Sequence, residues 1–144
     1  MKIKFQIIPE ENLIVHKLTG DFDIDCYTQY SKTLVQCPEW NTVDKMLSDI
    51  RGLNTNNVPK CLDLMAKLRR EVYKRDYLNV LLVDTPISTA HSHIYKNCLQ
   101  SDKFRYKYCS TLQHALATLD LDVSEKQAEE QLLNLKHEFV FSEE

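Results

Sequence analysis

The sequence predicts an α/β fold, in which an N-terminal β-hairpin is followed by a mixed, mostly parallel sheet of four or five strands packed with helices. Two N-terminal segments, 2–8 and 13–18, alternate polar and apolar residues, which is typical of half-buried strands. After them, helical and strand patterns follow each other in turn. Strands separated by helices need right-handed crossovers, and such crossovers make a sheet largely parallel.

The first half of the chain contains the hairpin and two helices. Pro9–Asn12 supplies turn residues between the two alternating segments. Asp23 can cap a first helix, which Cys37-Pro38 ends. A third strand is predicted from about Val43 to Asp49, and a second helix starts near Val58.

The second half begins with the most hydrophobic run of the chain. Leu78–Val83 is predicted to be a parallel strand covered on both faces. Thr85 then caps a third helix, with Pro86 at its first position. Residues 104–108 alternate again and predict an edge strand. The apolar residues of the third helix that are predicted to face inward are Ile87, Ala90, Ile94 and Cys98.

The C-terminal segment predicts two more helices. A short one runs from Leu112 to Leu119, and Ser124 to Gln127 form a capping-box pattern that starts another. We therefore expect a domain at 1–120 and a C-terminal amphipathic helix within 121–144, which covers the sheet of its own chain or of a second copy. The apolar stripe predicted for this helix is Ala128, Leu132, Leu135 and Phe139.

Composition and charge narrow the class of protein. A chain of 144 residues with 43% apolar residues is long enough for one core. The N-terminus has no continuous apolar stretch like that of a signal peptide, so a cytoplasmic location is expected, and no run approaches the length of a membrane span. The five cysteines have no metal-site or disulfide spacing, and the net charge of −3 gives no general attraction to nucleic acid. We expect no cofactor and no metal.

Polar residues collect where predicted parallel strands end, and this is where ligands or partners usually meet such sheets. A guanidinium there can fix a carboxylate or phosphate by two parallel hydrogen bonds, which makes Arg51 the first residue to test. The structural alternative is that Asp49 and Arg51 pair across a turn and that Thr85 only caps a helix. The residues predicted to bind a partner or ligand are Asp21, Asp49, Arg51, Gly52, Asp84, Thr85 and Ser88.

Four short segments resemble those of a known family. They are Leu18–Gly20, Pro38–Trp40, Leu47–Gly52 and Tyr108–Leu116. Together with the segment order, they are similar to the STAS-like fold and most of all to its SpoIIAA-like branch, also called STAS/SEC14 domain-containing proteins. The resemblance covers roughly residues 1–120.

The resemblance implies a small bacterial cytoplasmic domain that binds partner proteins and belongs to a family usually without catalytic activity. In the anti-sigma-factor antagonists of this family, a serine in the turn after the third strand is phosphorylated. The corresponding turn here, Asp49–Gly52, has no serine before its glycine, and Ser48 and Thr55 are poor substitutes. The SEC14-related relatives suggest, by analogy, binding of a small molecule or lipid.

Two further patterns have simple structural explanations. His91 and His93 lie two residues apart on a helix, so they point in different directions and cannot bind one metal ion together. His91 is expected in the core and His93 in water. Basic residues on the second helix and beside Tyr106 and Tyr108 are typical of solvated surfaces and protected edge strands.

Three functions therefore stay open from the sequence. The first is a non-enzymatic STAS-like regulatory or protein-interaction module, either alone or as a homodimer. The second is a carrier or sensor that binds a small apolar or acidic molecule between sheet and helices. The third is an enzyme that uses Asp49, Arg51 and Asp84.

Overall fold

A computed structural model describes residues 1–99 and 104–143 and contains one mixed sheet with helices on both faces. The strands are β1 (Lys2–Ile8), β2 (Leu13–Asp21), β3 (Lys45–Asp49), β4 (Leu53–Asn54), β5 (Leu78–Leu82), β6 (Tyr106–Cys109) and β7 (His137–Phe139). The helices are α1 (Ile24–Gln36), α2 (Leu62–Leu68), α3 (Pro86–Leu99), α4 (Leu112–Thr118) and α5 (Glu125–Leu133).

The strand pairing confirms the predicted fold class. The order across the sheet is β6-β5-β3-β2-β1-β7, and β4 pairs with the end of β2. The pairs β2–β3, β3–β5, β5–β6 and β2–β4 are parallel, whereas β1 is antiparallel to both β2 and β7. The described part of the chain holds seven strands instead of four or five, because β4 and β7 are too short to show a periodic pattern.

Alternation along the strands gives the sheet two different faces. On the first face, Ile14 and Met46 pack with α1 residues such as Tyr30. On the second face, Val15 and Leu47 pack with α4 and α5. Each face therefore builds a separate core, as the period of two along each strand requires.

The predicted helix starts are confirmed by their hydrogen bonds. The Asp23 carboxylate accepts from the backbone N–H groups of Asp25 (2.9 Å) and Cys26 (3.1 Å) at the start of α1. Ser124 and Gln127 form the reciprocal capping box of α5. Local polar residues thus fixed where these helices begin.

The prediction for the inward side of α3 is wrong. Ile87 and Ile94 are 54% and 43% exposed, whereas Ser88 and Ser92 are buried. The helix turns its hydroxyl groups inward because the sheet below it is polar at this place. Burial of Ser92 costs little, since its hydroxyl donates to the Ser88 carbonyl (2.8 Å).

The predicted extent of the last helix is also wrong. The helix ends at Leu133, and Phe139 lies in β7, which pairs with β1 and packs its ring against Tyr30 at a centroid distance of 5.5 Å. Ala128 and Leu132 of α5 are buried in the core of the second face of the same chain. Phe139 packs on the sheet as part of a strand because the open edge of β1 offers backbone hydrogen bonds.

The segment around α2 combines three helix types. A 3-10 turn at Val58–Cys61 precedes α2, and a π-helical turn at Arg69–Tyr73 follows it. This wider turn ends at Lys74, which has a positive φ of 53°. Both Arg69 and Tyr73 are buried by this arrangement. Single π turns of this kind occur frequently at functional sites.

Candidate functional site

The ends of the parallel strands lie on one edge of the sheet, as the sequence analysis expected. In the parallel register, Lys17 pairs with Asp49 and Asp49 with Leu82, so β3 and β5 end side by side, whereas β2 continues beyond them to Asp21. The predicted residues are nevertheless divided between the two faces. Asp49 and Arg51 meet α5 on the second face, whereas Ser88 belongs to α3 on the first.

Arg51 is occupied by two carboxylates of its own chain. Its Nε and Nη2 donate to the Oδ1 and Oδ2 atoms of Asp49, both at 3.0 Å. Its Nη1 and Nη2 donate to the two oxygens of Glu129 at 2.8 and 3.1 Å. The hydrogen bonds that Arg51 donates to Glu129 and Asp49 raise the pKa of Arg51. The structural alternative, a pair across the turn, is therefore present, and the guanidinium ties this turn to α5.

The other strand-end residues have mainly local contacts. Gly52 has a φ of +93°, a conformation that glycine adopts without strain. Thr85 accepts from the Ser88 backbone N–H (3.1 Å) and caps α3. Asp21 is exposed and accepts from the amide of Asn54 (2.9 Å), and Asp84 is exposed as well.

A second candidate lies between the first face of the sheet and helices α1, α2 and α3. This space, which we call the central cavity, has a volume of about 70 Å³. That volume is enough for several water molecules or a small ligand. Its wall is largely aromatic and apolar, with contributions from Tyr27, Met65, Tyr73, Tyr77 and Tyr95.

A row of polar side chains crosses the floor of the central cavity. His16 of β2, Ser48 of β3, Asn79 of β5 and Tyr106 of β6 all line it. His16 is the register partner of Ser48, and Asn79 is the register partner of Tyr106. Four adjacent strands thus place one polar group each on a floor that a sheet core would normally make apolar.

Hydrogen bonds connect three of these groups and Tyr30 into a chain. Ser48 Oγ donates to Asn79 Oδ1 (2.9 Å), so its only proton is used. The contact between His16 Nε2 and Ser48 then requires that Nε2 carries the proton. Tyr30 Oη consequently donates to His16 Nδ1 (3.1 Å). Burial lowers the pKa of His16 from 6.5 to about 4, so this histidine is neutral at pH 7.

Arg69 is the unusual residue of this site. It is only 4% exposed, and its guanidinium carbon lies 3.9 Å from the ring centre of Tyr77 and 4.5 Å from that of Phe104. Its Nη1 donates to the backbone carbonyl of Arg75 (3.0 Å). Its Nη2 is buried without a hydrogen-bond partner among residues 1–99 and 104–143. A buried charge is costly unless it is paired, and the two rings compensate only part of that cost.

Tyr106, which lines the same cavity, carries a second unsatisfied polar atom. Its hydroxyl is buried, and no hydrogen bond reaches it from the described residues. Burial raises the pKa of Tyr106 above that of an ordinary phenol, and the Ser92 hydroxyl, which is close but outside hydrogen-bonding geometry, acts in the opposite direction. The hydroxyl is therefore a neutral donor at pH 7.

His91 and His93 separate as the sequence analysis expected for two residues on one helix. His91 is only partly buried; it lines the central cavity and its Nδ1 meets Thr55 Oγ1 at 2.8 Å. His93 is exposed and contacts the Tyr108 hydroxyl at 2.8 Å. In the part of the chain that the structure describes, no three His, Cys, Asp or Glu side chains are grouped in a way that could hold a metal ion.

The central cavity was not predicted from the sequence, although a weak signal for it was present. Asn79 interrupts the most hydrophobic run of the chain, and His16 and Ser48 occupy inward positions of their strands. Polar residues at such positions are rare unless they are paired. The burial of Arg69 could not be predicted from the sequence, because it depends on the π-helical turn.

Comparison with known proteins gives no family for this chain. No model of a protein family matches it, and no curated protein matches it either. Within the described residues, the structure has no helix that is both long enough and apolar enough to cross a membrane.

Proposed function

We propose that this protein is a carrier or sensor domain that binds a small organic molecule in the central cavity. One observation supports this proposal above the others: two residues that line the cavity, Arg69 and Tyr106, each have a buried polar atom, Nη2 and Oη, without a partner among the described residues. Unpaired buried polar atoms lower the stability of a fold, whereas apolar groups at the same positions would not. Their presence is explained if they bind a ligand. An aromatic wall with a few polar groups is typical of small-molecule sites.

The same geometry favours binding over catalysis. The imidazole of His16 is held neutral in a chain of hydrogen bonds with Tyr30 and Ser48, and His91 is engaged by Thr55. Cys109 lies in the core of the other face of the sheet, where burial raises the pKa of its thiol and makes it a weak nucleophile. The hydrogen-bonded side chains of the cavity hold one another in place, which suits a rigid, preorganised binding site.

The test is a screen of small acids, amides and alcohols by ligand-observed NMR on the full chain. Binders should lose affinity when Ser92→Phe fills the cavity, because Ser92 lines it. Lys96→Phe is the matched control, since this residue is exposed on the same helix. Circular dichroism checks that both variants fold. The proposal fails if no compound binds, or if Ser92→Phe leaves the affinity of every binder unchanged.

A STAS-like interaction module is the second candidate, and the exposed rim at the strand ends supports it. Asp21, Gly52, Asp84 and Thr85 are all exposed there, so a protein partner can reach them. A photo-crosslinking residue at position 84 should then give one discrete adduct with a partner protein in cells, and the same residue at Lys126 should not. Equal adducts at both positions, or none, count against docking at the rim.

A further inference from the structure

We infer that the ligand of the central cavity is a small monocarboxylic acid, whose carboxylate binds between Arg69 Nη2 and Tyr106 Oη. This inference rests on the proposed function, because it names the class of ligand for the same cavity. It is based on hydrogen-bond donors that have no partner among the described residues and on the charge of the cavity wall.

The unused donors suit a carboxylate. Arg69 Nη2 carries two N–H groups and Tyr106 Oη carries one O–H group, and these atoms have no partner among the residues that the structure describes. A carboxylate has two oxygens that can accept all three hydrogens. Such charge-assisted hydrogen bonds are shorter and stronger than neutral ones.

The charge of the wall favours a monoanion over a phosphate dianion. Among the described lining residues, Arg69 is the one side chain with a permanent charge. His16 is neutral near pH 7, since its pKa is about 4, and burial keeps Tyr77 and Tyr106 protonated. One buried guanidinium balances one negative charge, whereas a second negative charge would remain uncompensated.

The rest of the wall indicates a small, apolar body for the acid. Leu81, Met65 and Tyr95 line the cavity beside the polar floor. Its volume of about 70 Å³ is smaller than the roughly 150 Å³ of an engineered cavity that accepts benzene. A short aliphatic chain therefore suits the space better than a large ring system.

Arg69 is also preorganised for this role. Its guanidinium lies between the rings of Tyr77 and Phe104, and Nη1 is fixed by the Arg75 carbonyl. The side chain has thus already lost its rotational freedom before a ligand arrives, which lowers the entropic cost of binding.

The experiment compares butyrate with butyramide, which has the same shape without the charge, in calorimetric titrations of the full chain. Butyrate should bind in the millimolar range that a ligand of its size can reach, and butyramide about tenfold more weakly or not at all. Ethyl phosphate is the third probe and should bind more weakly than butyrate. Equal affinities for butyrate and butyramide, no binding of butyrate, or tighter binding of ethyl phosphate would each overturn the inference.

Two variants assign the contacts. Tyr106→Phe keeps the ring and removes only the hydroxyl, so it should weaken butyrate about tenfold without changing butyramide. Tyr108→Phe on the same strand is the matched control and should leave both affinities unchanged. Arg69→Met should abolish the preference for butyrate over butyramide. If Arg69→Met does not fold, Tyr106→Phe alone still tests the assignment. A preference for butyrate that survives both variants contradicts the assignment.

The two proposals fail in different ways. If neutral compounds bind and Ser92→Phe displaces them, but butyrate has no advantage over butyramide, the cavity is a ligand site and only the carboxylate assignment is wrong. If Ser92→Phe affects no compound of the whole screen, the central cavity itself is not the ligand site.

Discussion

Arg51 and Asp49 form a two-point ion pair in which the Asp49 side chain is completely buried and the Arg51 side chain is 28% exposed. Arg51 also joins Glu129 of α5, so one side chain links the end of β3 to a helix that follows 75 residues or more after it in the chain. The pair therefore holds tertiary structure together at the edge where the sequence analysis expected a ligand.

Loss of Arg51 should destabilise the fold strongly. In Arg51→Met, the Asp49 carboxylate stays buried without its partner, and the free energy of unfolding should fall by about 2–4 kcal/mol. Glu129→Gln should cost less than about 1 kcal/mol, because the Glu129 side chain is 41% exposed. Urea unfolding measures both values. Equal losses for the two variants would show that the buried position of Asp49 is unimportant.

The buried His16 should make stability depend on pH. In the unfolded chain this histidine takes up a proton near pH 6.5, whereas in the folded protein its pKa is about 4. The stabilisation linked to neutral His16 is fully present above about pH 6.5 and is lost as the pH falls toward 4. It amounts to a free energy of unfolding on the order of 3 kcal/mol.

The variant His16→Gln isolates this contribution. Between pH 4 and 6.5, its free energy of unfolding should depend less steeply on pH than that of the wild type, by about one proton. His114→Gln, which changes an exposed histidine, should keep the wild-type slope. If His16→Gln also keeps that slope, His16 is not held neutral in the fold.

The orientation of α3 can be tested through its two sides. Ile94 is 43% exposed, so Ile94→Lys should change the free energy of unfolding by less than about 0.5 kcal/mol. Leu99 is buried, and Leu99→Ala should cost about 2–4 kcal/mol. Thermal and urea unfolding compare the two variants. A larger loss for Ile94→Lys than for Leu99→Ala would mean that the helix presents the opposite side to the sheet.

The strand β7 should contribute through Phe139. Phe139→Ala removes the contact with Tyr30 and should cost about 2 kcal/mol, less than a fully buried ring because Phe139 keeps some exposure. The neighbouring Val140 is 81% exposed, and Val140→Ala should be nearly neutral. Comparable losses at both positions would argue that the C-terminal strand does not pack as described.

Much of the fold could be predicted because its signals are local. The alternation in β1 and β2, the carboxylate of Asp23 and the capping box at Ser124 act through neighbouring residues in the chain. The end of α5 and the strand β7 could not be predicted, since His137–Phe139 becomes a strand only beside the free edge of β1.

The candidate sites show the same division. The residues that follow the parallel strands lie toward one edge of the sheet, as predicted, because parallel strands run in the same direction. The pair of Arg51 with Asp49 was one of the two alternatives that the sequence left open, but the bonds from Arg51 to Glu129, which lies far away in the chain, could not be predicted.

By itself, the sequence determined the order of strands and helices and the α/β class, since hydrophobic periodicity and caps depend on near neighbours. Only the tertiary structure decided which side of α3 faces inward and where a cavity forms. A helix buries the side that its surroundings can satisfy, and here His16, Ser48 and Asn79 make those surroundings polar. The burial of Arg69 likewise depends on the rings of Tyr77 and Phe104, which come close only in the folded protein.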